Sequence, residues 1–338
     1  MKRKKVFIGR AVLVLISVGI ALLFAEAALR YFRPSYTVGI PWSYQYEAER
    51  GYILGPGVHL FRTTDFQQES RVNGIGTSNF QETFAGYERL VFAVGDSYTE
   101  GIGVAADMSY PFQLDLTLNR DDQGLYIKRY GVANLGVGGY GGEQSLRNLR
   151  AWAMKLGPPS IILYMGCDND FNDDLMFGAG YRHGVITRGS PLWGTVGAPL
   201  RWLAHETQLG VKVNRRLKER KQEQLRAENI SRMGLGDKYP STAELEAENL
   251  ERLAAAAREY GSFLVVTWSD EGASYDWLKR WAADKGLAFA DWAARTNSVR
   301  AAMPALPLDN THSGGHHRGW TNRLIAEEFA RQIQATQK

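Results

Sequence analysis

The chain has 338 residues, of which 44% are hydrophobic and 22% charged, a balance that excludes a disordered protein. The net charge of +4 comes from the N-terminus, because residues 1–30 carry six basic residues and one acid. The remainder is close to neutral, so its charge gives no support for a nucleic-acid partner. The single cysteine, Cys167, excludes an intrachain disulfide.

The N-terminal segment is typical of a membrane-directing sequence. A basic cluster from Lys2 to Lys5 precedes an apolar stretch, Val6 to Leu29, of 24 residues, which is long enough to span a bilayer. Because basic residues stay on the cytoplasmic side, we expect a single-pass anchor in residues 1–33, with the rest of the chain outside the cytoplasmic membrane. Cleavage as a signal peptide, followed by secretion, is the alternative, since Ala25-Glu26-Ala27 resembles a small-residue cleavage site.

The rest of the chain divides into an extension and an alternating domain. Residues 34–88 are rich in aromatic residues, glycine and turn signals, which predicts short strands and turns. From residue 89 to 338, apolar strand patterns alternate with helical ones, which predicts an α/β domain with a parallel sheet covered on both faces. The predicted strands are 89–94, 127–135, 160–165, 262–268 and 287–291, and the predicted helices are 107–120, 142–156, 242–260, 273–285 and 317–335.

Residues 172–240 are too long for a single crossover and are interpreted as an insertion. Its second part, Lys212 to Arg232, is dense in charges of both signs. The simplest interpretation is a solvated helix face. A lid over a site, or a surface facing anionic headgroups or polysaccharide, is the functional alternative.

A serine stands where the first predicted strand of this domain ends. Gly95-Asp96-Ser97 follows an apolar strand and opens into a helix, which places the hydroxyl at the carboxyl edge of the sheet, where open α/β folds bind ligands. The same pattern occurs in ordinary turns. Other features must therefore decide whether Ser97 is a nucleophile.

Loops after the second and third strands carry groups suited to meeting a developing oxyanion. The glycine-rich segment 134–142, with Gly139 at its centre, leaves backbone N–H groups exposed at the same sheet edge. Plain turn geometry is the alternative. In the next loop the Asn169 amide is a neutral donor, while Asp168 and Asp170 are typical of caps or Asx turns. Cys167 is interpreted as a packing residue.

A possible general base lies near the C-terminus. Asp309 precedes His312 by three residues, a spacing at which a carboxylate can orient an imidazole. His316 and His317 follow, and the three histidines together would be a conceivable metal site. We predict no metal there, because no further ligand has a suitable spacing. His316 is expected to support the site or the start of the last helix.

Taken together, these four blocks resemble the SGNH, or GDSL-type, hydrolase family. Gly95-Asp96-Ser97 is similar to its first block, Gly139 to its second, Asn169-Asp170 to its third, and Asp309 with His312 to its fourth. The extension and N-terminal segment resemble a bacterial subgroup with a membrane helix. The third block is one residue longer here than is usual, because both Cys167 and Asp168 follow Gly166.

The resemblance implies a fold and a set of roles. The fold would be a flavodoxin-like three-layer α/β/α sandwich with a five-stranded parallel sheet. The catalytic residues would be Ser97, His312 and Asp309, with oxyanion donors on Ser97, Gly139 and Asn169. The supporting residues around them would be Asp96, Asp170 and His316. No cofactor is expected.

Three functions follow as expectations. The first is a membrane-anchored esterase that removes O-acyl groups, acetyl above all, from a carbohydrate or related ester through an acyl-serine intermediate. The second is an O-acyltransferase that uses the same residues to modify a surface polysaccharide. The third is a non-catalytic glycan-binding or assembly subunit, which would need none of Ser97, Asp309 and His312. The expected partners are an ester-bearing small molecule or polysaccharide and the membrane.

Overall fold

The structure is a computed structural model of the 338-residue chain. It describes residues 2–32, 44–47, 49–62, 67–170, 173–174, 207–210, 212–213, 216, 220, 242–310 and 315–336. His312 and most of the predicted insertion 172–240 lie outside the described residues. The domain boundaries inferred from sequence therefore stay predictions.

A five-stranded parallel sheet forms the centre of the molecule. Its strands are β5 (Arg89–Gly95), β6 (Tyr130–Asn134), β7 (Ile161–Gly166), β8 (Phe263–Trp268) and β9 (Ala288–Phe289), in the spatial order β6-β5-β7-β8-β9. The central strands are continuous apolar runs, and residues 91–94 and 162–165 have no exposed surface. Such runs are typical of strands buried on both faces. The predicted α/β fold is confirmed.

Helices cover the sheet. They are α2 (Ser97–Glu100), α3 (Tyr110–Leu118), α4 (Gly142–Leu156), α5 (Thr242–Tyr260), α6 (Ala273–Asp284), α7 (Trp292–Ala302) and α8 (Gly319–Ala335). The helix α3 packs on α8, and α4 packs on α5. These pairs contribute to the outer layers of a three-layer sandwich, the architecture that the resemblance implied.

Several elements differ from the sequence predictions. The predicted helix 107–120 is a 3₁₀ turn, Ala106–Met108, followed by α3, because Ser109 is extended and Pro111 is suited to a helix start. Strand β6 is shorter than predicted, since the Asn119 side chain accepts the backbone N–H groups of Arg129 and Tyr130 at its start. Helix α7 was not predicted; it buries only two side chains and so has little apolar periodicity.

The described part of the N-terminal extension contains two antiparallel strand pairs. Strand β1 (Tyr44–Glu47) pairs with β2 (Gly51–Leu54), and β3 (Gly57–Arg62) pairs with β4 (Gln67–Val72), both antiparallel. Buried residues of the extension join two loop residues of the main domain in a second, small core: Tyr52, Leu54, Val72, Val137 and Tyr140. The extension is therefore packed against the loop that follows β6.

Helix α1 (Lys2–Phe32) is the N-terminal apolar segment. Its part Val12–Phe32 is long and apolar enough to cross a membrane, and none of it is buried in the protein. Glu26 accepts the backbone N–H groups of Gln208 and Leu209 at 2.8 and 2.9 Å. A spanning helix and a signal sequence both fit these features.

Candidate active site

Ser97 is the first residue of α2, at the carboxyl end of β5. Asp96 caps the helix, because its Oδ1 accepts the Tyr98 N–H at 2.9 Å. Gly95 has a φ of 152°, and a Cβ there would lie 2.5 Å from the Met165 carbonyl oxygen. Only glycine fits this turn, which presents the half-buried Ser97 hydroxyl at the sheet edge.

The Ser97 hydroxyl contacts a histidine near the C-terminus. The Nε2 of His316 lies 2.8 Å from Ser97 Oγ, and Asp96 Oδ2, at 3.0 Å, is a second acceptor for the proton of that hydroxyl. When Nε2 accepts the serine proton, the neutral imidazole carries its own proton on Nδ1. Ser97 and His316 thus have the arrangement of a nucleophile and its general base.

The loop around His316 is held by backbone pairing. The Asn310 N–H donates to the His316 carbonyl at 2.9 Å, and the Arg318 N–H donates to the Leu308 carbonyl at 2.9 Å. The ring of Tyr98 lies on His316, with 4.9 Å between the ring centres and 34° between the planes. Tyr98, the residue after Ser97, therefore packs against the His316 ring that contacts Ser97.

Asp309 contacts the neighbouring histidine. Its Oδ1 lies 2.6 Å from His317 Nδ1. The His317 ring is buried against Tyr98 and Trp292, and its Nε2 has no hydrogen-bond partner among the described residues. Since His312 is outside the described residues, its assignment as the base of Ser97, oriented by Asp309, stays a prediction. Among the described residues, the histidine that contacts Ser97 is His316, which the sequence placed in a supporting position.

The glycine-rich loop after β6 lies directly beside α2. The Val137 N–H donates to the Gly95 carbonyl at 3.1 Å, and a Cβ on Gly136 would lie 2.2 Å from the Glu100 backbone nitrogen. Gly139, with a φ of 78°, adopts the left-handed conformation that favours glycine. The loop is therefore packed against the helix that carries Ser97, as an oxyanion donor there would require.

The third loop contributes an exposed amide and buried acids. Asn169 Nδ2 donates to Asp173 Oδ2 at 2.7 Å, which leaves its second N–H outside that hydrogen bond. Asp170 is buried, and its Oδ2 accepts the Tyr164 hydroxyl at 2.9 Å. Burial, together with the negative charges of Asp96 and Asp174, holds the pKa of Asp170 well above its ordinary value.

Asp96, Cys167 and Asp170 form a candidate metal-ligand group, since their ligand atoms lie within 4.8 Å of one another. The Cys167 Sγ donates toward Asp96 Oδ2 at 2.9 Å, and burial with the neighbouring carboxylates raises the pKa of the thiol well above its ordinary value. Metal binding needs the thiolate. In this structure the Cys167 thiol is a hydrogen-bond donor within the group.

No family model matches the chain, and no curated protein matches it. Solved structures of several proteins are similar to it. A member of the lipolytic protein G-D-S-L family from Veillonella parvula shares 14% identity over 72% of this chain and 96% of its own, with a TM-score of 0.40. A GDSL-like lipase from Parabacteroides merdae shares 12% over 73% and 96%, with a TM-score of 0.41. A lipolytic protein assigned to the same family, from Desulfitobacterium hafniense, shares 12% over 72% and 99%, with a TM-score of 0.40. Likeness at this level carries no argument about chemistry, which must come from the site itself.

Proposed function

We propose that this protein is a serine hydrolase of the SGNH type that cleaves ester bonds. The observation that carries the proposal is the 2.8 Å contact between Ser97 Oγ and His316 Nε2 at the carboxyl edge of the sheet. A binding or assembly role gives no reason for this pairing. A nucleophile with an adjacent base is what acyl transfer requires.

In the proposed reaction, Ser97 Oγ attacks the acyl carbonyl while His316 Nε2 takes its proton. The tetrahedral oxyanion is met by the N–H groups of Ser97 and Gly139 and by the Asn169 amide. His316 then gives the proton to the leaving alcohol, and the acyl group stays on Ser97. Water attacks this acyl-serine with His316 again as base, which releases the acid and restores the serine.

The substrate class is proposed as an O-acetylated carbohydrate outside the cytoplasmic membrane. Two observations support the location outside the membrane. Helix α1 is apolar enough to anchor the chain, and its basic N-terminus favours an outward-facing domain. Transfer of the acyl group to a sugar hydroxyl would use the same residues, with the sugar in place of water. In the sequence, the long segment 172–240 directly follows the Asn169 loop.

The test uses the full-length chain in detergent. We expect it to hydrolyse p-nitrophenyl acetate and to be labelled by a fluorophosphonate, and both reactions should fall by about 10³-fold or more in Ser97→Ala. A wild-type protein that shows neither reaction would overturn the proposal. Adding an oligosaccharide acceptor separates the two outcomes, because a transferase moves acetyl to the sugar and an esterase releases acetate.

A further inference from the structure

The N-terminal extension contacts the proposed oxyanion donor through one hydroxyl. We propose that Tyr52, in β2, is a positioning residue that orients the peptide between Gly138 and Gly139, whose N–H is that donor. This inference rests on the proposed function. The N-terminal extension would thus take part in the site through its contacts with the glycine-rich loop.

The contact acts on the peptide unit that carries the proposed oxyanion donor. The Tyr52 hydroxyl donates to the Gly138 carbonyl oxygen at 2.9 Å. That carbonyl and the Gly139 N–H belong to one planar, trans peptide, so they point in opposite directions. Fixing the carbonyl therefore fixes the direction of the N–H. Accepting a hydrogen bond also polarises the peptide, which makes its N–H a stronger donor.

The fit between Tyr52 and the loop is close. Gly139 is in the left-handed region, and a Cβ built on it would lie 2.8 Å from the Tyr52 hydroxyl oxygen. A larger residue would therefore be strained and would displace the tyrosine. Gly139 therefore leaves room for the Tyr52 hydroxyl, and this hydroxyl fixes the peptide between Gly138 and Gly139.

The other side of Gly138 is held from the nucleophile's own helix. The Gly138 N–H donates to Glu100 Oε2 at 2.7 Å, and Glu100 follows Ser97 by three residues in α2. The hydroxyl of Tyr44 in β1 also donates to Glu100 Oε2, at 3.3 Å. Both polar groups of Gly138 are thus fixed, one by α2 and one by the extension.

Tyr52 is itself held by packing. Its side chain is 8% exposed and lies in the small core shared by the extension and the loop. The rings of Tyr44 and Tyr140 contact it edge-on, with ring centres 5.5 and 5.2 Å away, and the Tyr140 hydroxyl donates to the Tyr52 carbonyl. A hydroxyl on a ring fixed in this way has a defined position, as a positioning residue requires.

The experiment compares Tyr52→Phe with Tyr275→Phe in the full-length chain. Each change removes one hydroxyl from a buried ring; that of Tyr275 donates to Asp291 at 2.8 Å, away from the loop. We expect Tyr52→Phe to lower kcat for p-nitrophenyl acetate by about tenfold, the scale of one hydrogen bond, with KM within about twofold. Tyr275→Phe should keep the wild-type kcat. Active sites are counted by fluorophosphonate labelling carried to completion, so that loss of folded protein is not counted as loss of turnover.

The affinity for a transition-state analogue distinguishes a positioning role of Tyr52 from a purely structural one. Phenylboronic acid forms a tetrahedral adduct on serine, with an oxygen in the oxyanion position. Its inhibition constant should rise in Tyr52→Phe by the same factor by which kcat/KM falls. An unchanged kcat in Tyr52→Phe, or a change in KM alone, would overturn this inference and leave the proposed function standing. Absence of activity and labelling in the wild type would overturn both.

Discussion

The two sides of Ser97 are built by different means. The base flank, Asp309 with His316 and His317, presents side chains from one stretch near the C-terminus. The oxyanion flank, residues 136–139, presents backbone that is held by α2 and by the N-terminal extension. A catalytic side chain can be recognised in a sequence by its residue type. The contacts that orient a backbone N–H donor cannot be recognised in this way. Sequence reasoning therefore finds the histidines and the glycine-rich loop, but not which histidine contacts Ser97 or what holds the loop.

The largest predicted effect breaks the oxyanion flank. In Gly136→Ala the new methyl group would meet the Glu100 backbone, which cannot move without shifting α2. We expect a loss of at least about 3 kcal/mol in the free energy of unfolding. The matched change on the base flank is Gly315→Ala. There φ is 83° but the nearest atom is 3.9 Å away, so backbone strain alone should cost about 1 kcal/mol. Urea unfolding of both variants measures this, and equal losses would contradict the packing described for the loop.

A smaller expected effect, on kcat/KM, distinguishes two roles for Asp309. Asparagine in Asp309→Asn keeps an oxygen that can accept from His317 Nδ1, at present 2.6 Å away. If Asp309 acts through His317, we expect kcat/KM to fall by about tenfold, the effect of one weakened hydrogen bond to a charged group. If Asp309 instead orients the base directly, the loss should approach the roughly 10⁴-fold seen for the corresponding change in a serine-protease triad. Initial rates with p-nitrophenyl acetate distinguish the two.

The smallest effect concerns the pH dependence of stability. Burial raises the pKa of Glu100 to about 7 and that of Asp115, in α3, to about 6. Because both carboxyls bind a proton more tightly in the folded state, each contributes stability that is present below about pH 4 and is lost as pH rises through 6 to 7. Melting temperatures should therefore fall less steeply between pH 5 and pH 8 in Glu100→Gln and in Asp115→Asn than in the wild type.

Activity separates the same two variants. Only Glu100 contacts the oxyanion flank, through the Gly138 N–H. Only Glu100→Gln should therefore change the pH profile of kcat between pH 5 and pH 8. A changed profile in Asp115→Asn, or an unchanged melting slope in both variants, would contradict this account.

The fold was largely predictable because buried strands and amphipathic helices leave strong patterns. Helices α4 and α5 have the bounds that the sequence predicted, and the five strands agree within a few residues. The errors occur where side chains interrupt a pattern. Strand β6 is shorter because the Asn119 side chain accepts the backbone N–H groups at its start. Helix α8 begins only at Gly319 because the residues before it pair with residues 308–310.

The site was predictable only in part. Ser97 and the glycine-rich loop each follow the carboxyl end of a strand, β5 and β6, and lie side by side at one edge of the sheet. The approach of His316 to Ser97 depends on backbone pairing of residues 308–310 with residues 316–318, which residue spacing does not encode. The support from Tyr52 depends on a contact across 86 residues of sequence. An aromatic extension before a glycine-rich loop was the only sign of it.

The pairing of Ser97 with His316 is tested most directly by the rate of fluorophosphonate labelling of Ser97 in His316→Gln and in His312→Gln. The 2.8 Å contact predicts that His316→Gln slows labelling by about 10³-fold or more, while His312→Gln has a much smaller effect. Rapid labelling in His316→Gln, with the large loss in His312→Gln, would contradict the account and assign the base to His312.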